Sequence, residues 1–353
     1  MKISKVILSL FLLSVLIISC NDDDDIIEPK GDYENGIIVS GEGGASGSVY
    51  YVSNDYATTE SLIYKKVNEA DLGTYLQSIA FDDSRAFIIV DNQNTITVVD
   101  RYTFQKVGEI TLGLALPRFM VVKGDTGYAT NWGSTSDDSD DFVAVIDLNT
   151  NEVTSTISVA NGPERIVEKN GKLYVSHKGA YTTNNIVTVI DIATKATIEI
   201  IVKDNPDELF FDSSDRLIVL SQGRTIYDAS WSVIGQTSAS ISKINTSTNT
   251  VVAELVFPNG QNPSLMIQDN STIYYNLGSK VYKMDDSAMV LPTTEFLDTA
   301  AGYFYGMAVK NDNLYVIDVS FSAESSMDIY SVSTKAKTTS VSAPVGASKI
   351  YFN

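Results

Sequence analysis

The sequence predicts an all-β chain folded as a single seven-bladed β-propeller whose ring is closed by its C-terminal strand. Three observations carry that expectation. From about Glu34 onward, short β-branched and aromatic runs alternate with Gly, Asn, Asp and Ser turns, with no helical periodicity worth naming. One strand-and-turn phrase recurs along the chain, and a second mark recurs between its copies at the spacing of a propeller blade. The length of 353 residues would also suit two average domains, but large all-β folds run this long as one unit.

The recurring phrase is clearest as Thr97–Thr103, Ala144–Thr150 and Thr188–Thr194, each an apolar run ending in Asp and followed by a Thr-bearing turn. Weaker copies are Ser242–Thr248 and Ile329–Thr334. Each reads as a strand, an Asx/Thr turn and a return strand such as Val153–Val159. The second mark is a Pro or Gly, a short spacer and an apolar residue: Pro117 to Met120, Pro163 to Ile166, Pro206 to Leu209 and Pro263 to Met266, with looser versions ending at Ile79, Met307 and Ile350. These seven anchors are spaced by 41, 46, 43, 57, 41 and 43 residues. Four strands with their turns need about 40–45 residues.

The last anchor lies in Ala347–Asn353, too near the end of the chain to begin another blade. The segment from Gly36 has the rest of a blade without an inner strand. Pairing the two closes a ring and removes the sheet edges that an open array would expose. Six blades with a misread first repeat, or eight, are the alternatives.

The N-terminus reads as an address. Lys2 and Lys5 precede an apolar run from Val6 to Ile18, which is too short to span a bilayer comfortably and matches the apolar region of a secretory signal. Ile17-Ile18-Ser19-Cys20 resembles a bacterial lipobox, so residues 1–19 are expected to be removed and Cys20 to be lipidated. Asn21 and four aspartates follow, and residues 20–33 read as the lipidated Cys and an acidic tether, with the propeller over 34–353. The acidic run also resembles an export signal of Bacteroidota surface lipoproteins.

Charge and rare residues narrow the function. The chain carries 25 basic and 44 acidic residues, net −19, which argues against a nucleic-acid partner. Removing Lys2 and Lys5 leaves 23 basic residues and takes the net charge to −21. One Cys and one His exclude an intrachain disulfide and a Cys/His zinc site. A His-based catalyst would have to use His177, so a binding protein is expected and not an enzyme, with no cofactor and no metal. The run Asp137–Asp141 lacks the glycine and distal glutamate of an EF-hand and reads as a solvated loop.

The segment Tyr128-Ala129-Thr130-Asn131, with Val143–Asp147, Ile157–Val159 and Gly162-Pro163-Glu164, resembles the YVTN repeat of YncE-like seven-bladed propellers. Tyr174–His177 with Val187–Asp191 repeats it. Lipobox, acidic tether and such a propeller together resemble a group of Bacteroidales surface lipoproteins that includes the BtuG-type cobalamin-capture proteins. The resemblance implies an outer-membrane lipoprotein facing the cell exterior. It further implies that the chain captures cobalamin (vitamin B12), or another large amphipathic molecule, and hands it to a TonB-dependent transporter. A glycan-binding or protein-interaction accessory lipoprotein is the alternative, and a lactonase-type hydrolase the third reading.

The binding surface is expected where second-to-third-strand loops and blade-to-blade connections share one face. Trp132, His177, Tyr181, Arg224, Tyr227, Trp231 and Phe321 are the candidates from the former, and Arg118, Arg165, Tyr303 and Tyr305 from the latter. Aromatic platforms with scattered Arg suit a large, flat, amphipathic ligand. Each Trp has the competing reading of a lid over a neighbouring blade, and His177 that of a hydrogen-bonded structural residue.

Overall fold

A computed structural model describes residues 29–353. The signal segment, Cys20 and the aspartate run fall outside the described residues. Within them lie seven four-stranded antiparallel sheets and one separate two-stranded hairpin.

Blade 1 combines Ala347–Phe352, Gly36–Gly41, Ser48–Ser53 and Thr59–Glu60, in that order from the axis outward. The C-terminal strand therefore completes the first blade, as the anchor pattern predicts. Asn353 locks the closure, because its amide nitrogen donates to the carbonyls of Tyr33 and Arg101 while its oxygen accepts from Arg101 Nε. Blades 2 to 7 follow in chain order, with inner strands Leu76–Phe81, Pro117–Lys123, Pro163–Lys169, Pro206–Phe211, Met266–Asp269 and Phe304–Lys310. Seven separate apolar clusters fill the seven blade-to-blade interfaces, and no single core exists. A sheet pleat sends alternate side chains to opposite faces, so each blade supplies two interfaces at once. This is why the strands read as near-continuous apolar runs.

The Asx/Thr phrase has one structural meaning in all its copies. In Asp100–Thr103 and Asp191–Thr194 the aspartate oxygen accepts from the Thr backbone N–H and hydroxyl. The residue after each Thr turns left-handed: Phe104, Asn151, Lys195, Asn249 and Lys335 have φ between 54° and 61°. Asn tolerates that conformation best, but the side-chain hydrogen bonds hold it even at Phe104 and the two lysines.

Two features differ from the sequence reading. A six-residue helix, Ile63–Asn68, links blades 1 and 2 and buries Ile63 and Tyr64. Fewer than two turns leave no periodicity to detect. The long blade 5 loop is a second hairpin, Thr225–Tyr227 paired with Val233–Gln236, standing off the blade. Blade 6 is thin at its rim, since its outer strand is only Leu297–Asp298.

Candidate functional site

A small local irregularity builds the centre of the loop-bearing face. In blades 2, 3, 4, 5 and 7 the register of the inner strand slips just after its first residue. A bulge adds a residue on one strand and re-aims side chains. Here it turns the residues immediately before the apolar anchors toward the axis: Gln77, Arg118 with Phe119, Glu164 with Arg165, Asp207 and Tyr305. They surround a cavity of about 360 Å³ at the axial mouth, together with Glu42, Tyr75, Asp91, Lys178, Gln222 and Lys349.

Charge in this mouth is largely paired between neighbouring blades. Arg118 forms a two-pronged bond to Glu164 at 3.0 and 3.2 Å and also donates to Asp91. Arg165 donates to Asp207 at 2.8 Å and to Glu208. Lys178 reaches the other oxygen of Asp207 at 2.8 Å, and Gln222 joins it at 3.0 Å. Burial opposes the charge on Asp207, but Lys178 and Arg165 outweigh it and hold the carboxyl well below the usual carboxylate range. For Glu208 burial prevails over Arg165 and pushes the acid up to about 7. The arginines are therefore the frame of the mouth first, and available to a ligand only by exchange of partners.

Three aromatic groups stand on the same face. Trp132 is half-buried, lies 3.7 Å beneath the Arg118 guanidinium and donates its indole N–H to the Pro163 carbonyl at 3.0 Å. That is a lid over the start of blade 4; its outer edge meets exposed Tyr181 with ring centres 5.8 Å apart. Tyr227 and Trp231 pair at 6.0 Å on the blade 5 hairpin, where Trp231 is 82% exposed. Arg224, at the hairpin base, is held by Asp204 at 3.0 Å. Tyr303, Tyr305 and Phe321 form a triangle with centre distances of 5.5 to 5.9 Å. Tyr303 and Phe321 are exposed, whereas the Tyr305 hydroxyl donates to Glu42 at 3.2 Å.

His177 stands apart from the other candidates. It has no exposed surface. A carbonyl can only accept, so Nδ1 carries the proton and donates to Asn161 at 3.2 Å, while Nε2 accepts from the Thr188 hydroxyl at 2.8 Å. Burial presses its pKa down to about 4. It braces the second strand of blade 4 and does not reach the face.

The acidic loop of blade 3 is split by burial. Asp137, Asp138 and Asp140 are exposed, and Asp140 accepts from the Ser134 N–H. Asp141 is buried, accepts from the Gly162 N–H, and is raised by burial to about 6. Among the described residues no three His, Cys, Asp or Glu side chains converge as metal ligands would.

Sequence reasoning missed Glu42, Gln77, Asp91, Glu164, Lys178, Glu208 and Lys349. A signal was present. Aligning the chain on its anchors puts Arg165, Glu208 and Lys349 in one column and Gln77, Arg118, Glu164 and Asp207 in the column before it.

No family model and no curated protein matches the chain. Solved structures resemble its fold. One is a hydrazine synthase of Kuenenia stuttgartiensis, with a TM-score of 0.56 and 16% identity over 77% of this chain and 87% of that one. Another is the dihydro-heme d1 dehydrogenase NirN in complex with DHE, at 0.57 and 13% over 92% and 76%. A third is apo AztD from Citrobacter koseri, at 0.53 and 12% over 89% and 96%. At such identities the likeness extends to the fold, and the chain is a seven-bladed β-propeller with NirN and AztD among its structural neighbours.

Proposed function

We propose that this chain is a binding protein, lipid-anchored through Cys20 at the outer face of a bacterial outer membrane. On its loop-bearing face it captures a large amphipathic molecule, cobalamin or a related corrinoid, and delivers it to a TonB-dependent transporter. The observation that carries the reading is the concentration of exposed and half-exposed aromatic rings on the face that holds the polar mouth. Trp132, with Tyr181, packs on Arg118 of that mouth; Tyr305, with Tyr303 and Phe321, lines it; Tyr227 with Trp231 stands on the same face, on the blade 5 hairpin. A flat ligand with apolar edges and amide arms finds both stacking surfaces and hydrogen-bonding groups there. The rest of the assignment draws on the lipobox, the acidic tether and the YVTN-like repeats. Binding without catalysis fits the one histidine, which is buried and neutral.

The exposed blade 5 hairpin favours one further reading. Val233 and Ile234 beside Trp231 are 61% and 64% exposed, an apolar tip suited to a partner protein in an accessory role. Titration calorimetry of the chain lacking residues 1–20 with cyanocobalamin separates the two. The capture reading expects one site per chain. Absence of heat at micromolar protein rejects cobalamin and leaves the accessory role.

A further inference from the structure

Below the mouth the axial channel continues into a second cavity of about 230 Å³, walled by Ile79, Met120, Ile267, Met307 and Ile350. Lys349 and Arg165 border both cavities, so they stand where the polar mouth gives way to an apolar throat. The nearby carboxylates are already engaged. Asp207 accepts from Arg165, Lys178 and Gln222, Glu208 from Arg165, Glu164 from Arg118, and Glu42 from Tyr305. Lys349 forms no ion pair or side-chain hydrogen bond among the described residues; its nearest ring is Phe119, at 5.9 Å. A half-buried ammonium with three donors and no acceptor is costly unless something from outside supplies one.

The chemistry of that supplier follows from its surroundings. Four cations (Arg118, Arg165, Lys178, Lys349) face five carboxylates (Glu42, Asp91, Glu164, Asp207, Glu208). These sum to a slight acidic excess, less the share of Glu208 that burial keeps protonated, so the mouth as a whole is no anion trap; a single carboxylate is admitted because Lys349 alone lacks a direct partner, and a dianion such as phosphate is disfavoured. The throat beneath also carries Ser78, Ser348, Tyr351 and Glu208, but its run of Ile79, Met120, Ile267, Met307 and Ile350 favours a guest with an apolar chain. We infer that the axial channel binds an amphipathic monocarboxylate, its head on Lys349 and its apolar chain in the throat. The channel opens at the centre of the aromatic rim, but the inference rests on the unpaired Lys349 and not on the capture reading.

Octanoate is the probe, titrated by calorimetry into the soluble chain, with octanol and octylamine in parallel. Octanoate is expected to bind once per chain with a dissociation constant of about 1 mM or tighter, and each analogue at least about tenfold more weakly. Lys349→Met should weaken octanoate by about tenfold or more. Met307→Trp, which fills the throat and leaves Lys349 in place, should block it in a chain whose thermal transition is retained. Octanoate binding that survives Lys349→Met overturns the proposal, as does equal binding of octanol or no binding at about 10 mM. Cyanocobalamin titrated into the same samples tests the capture reading, and its failure to bind leaves the octanoate result standing.

Discussion

Acid should weaken this fold through its single histidine, and the size of the effect follows from the geometry. An unfolded histidine titrates near 6.5, whereas burial between Asn161 and Thr188 lowers the folded value to about 4. Between those values the unfolded chain binds a proton that the native chain refuses. Stability therefore falls as pH drops through that window and is restored as pH rises above it. Some 2.5 pH units at 1.36 kcal/mol each make a loss of about 3 kcal/mol by pH 4. Carboxylates titrate in the same range, so the comparison must be double: urea unfolding of the parent and of His177→Gln, each at pH 7 and pH 4.5. The variant loses packing and hydrogen bonds at both pH values, but only the parent carries the proton-linked penalty. The parent's advantage should shrink by about 2 to 3 kcal/mol at the lower pH. Because the chain has one histidine, one ring resonance in a proton NMR titration reads its pKa directly. A folded-state value at or above 6.5, or an advantage unchanged with pH, refutes the argument.

Other perturbations test other parts. Arg165→Leu strands Glu208 and half of Asp207 at the mouth and should cost about 3 kcal/mol in urea unfolding; a neutral result would mean that the mouth is far wetter than its burial implies. Deleting residues 347–353 removes the inner strand of blade 1 and should abolish cooperative unfolding. Asn353→Ala alone should cost about 1 to 3 kcal/mol through three lost hydrogen bonds to Tyr33 and Arg101. Trp231→Ala should leave stability within about 0.5 kcal/mol, because the ring touches little but Tyr227. Trp132→Ala should lower it measurably, because that ring carries Arg118 and bonds Pro163.

Most of the architecture was legible because propeller repeats are written one after another. The anchors from Ile79 to Ile350 locate seven inner strands, and the position of the last one locates the closure. The rest escaped for identifiable reasons. A helix as short as Ile63–Asn68 has no period. The blade 5 hairpin hides in a stretch of turn-forming residues, and only its return strand, Val233–Gln236, alternates. At the mouth, Arg118 and Arg165 read from sequence as free ligand contacts. Their partners Glu164 and Asp207 lie 46 and 42 residues away, one blade on, so the pairing shows only once repeats are superposed. The inner-strand bulge is the deeper obstacle. It aims two consecutive residues at the axis in blades 3 and 4, where a regular pleat would aim one, and although proline opens it in blades 3, 4 and 5, Leu76 and Phe304 open it in blades 2 and 7. His177 carries two readings from sequence, ligand contact and hydrogen-bonded structural residue, and its burial with bonds to Asn161 and Thr188 favours the second.

The central claim is that the loop-bearing face, and not the opposite one, holds the ligand. Hydrogen exchange read by mass spectrometry, with and without saturating cyanocobalamin, tests it most directly. The account predicts slowed exchange in residues 132–135, 178–183, 224–236 and 302–305. The turns at residues 82–84, 124–125, 170–171 and 270–271, on the far face, should exchange as before. Protection confined to those far turns, or spread evenly over both faces, would contradict it.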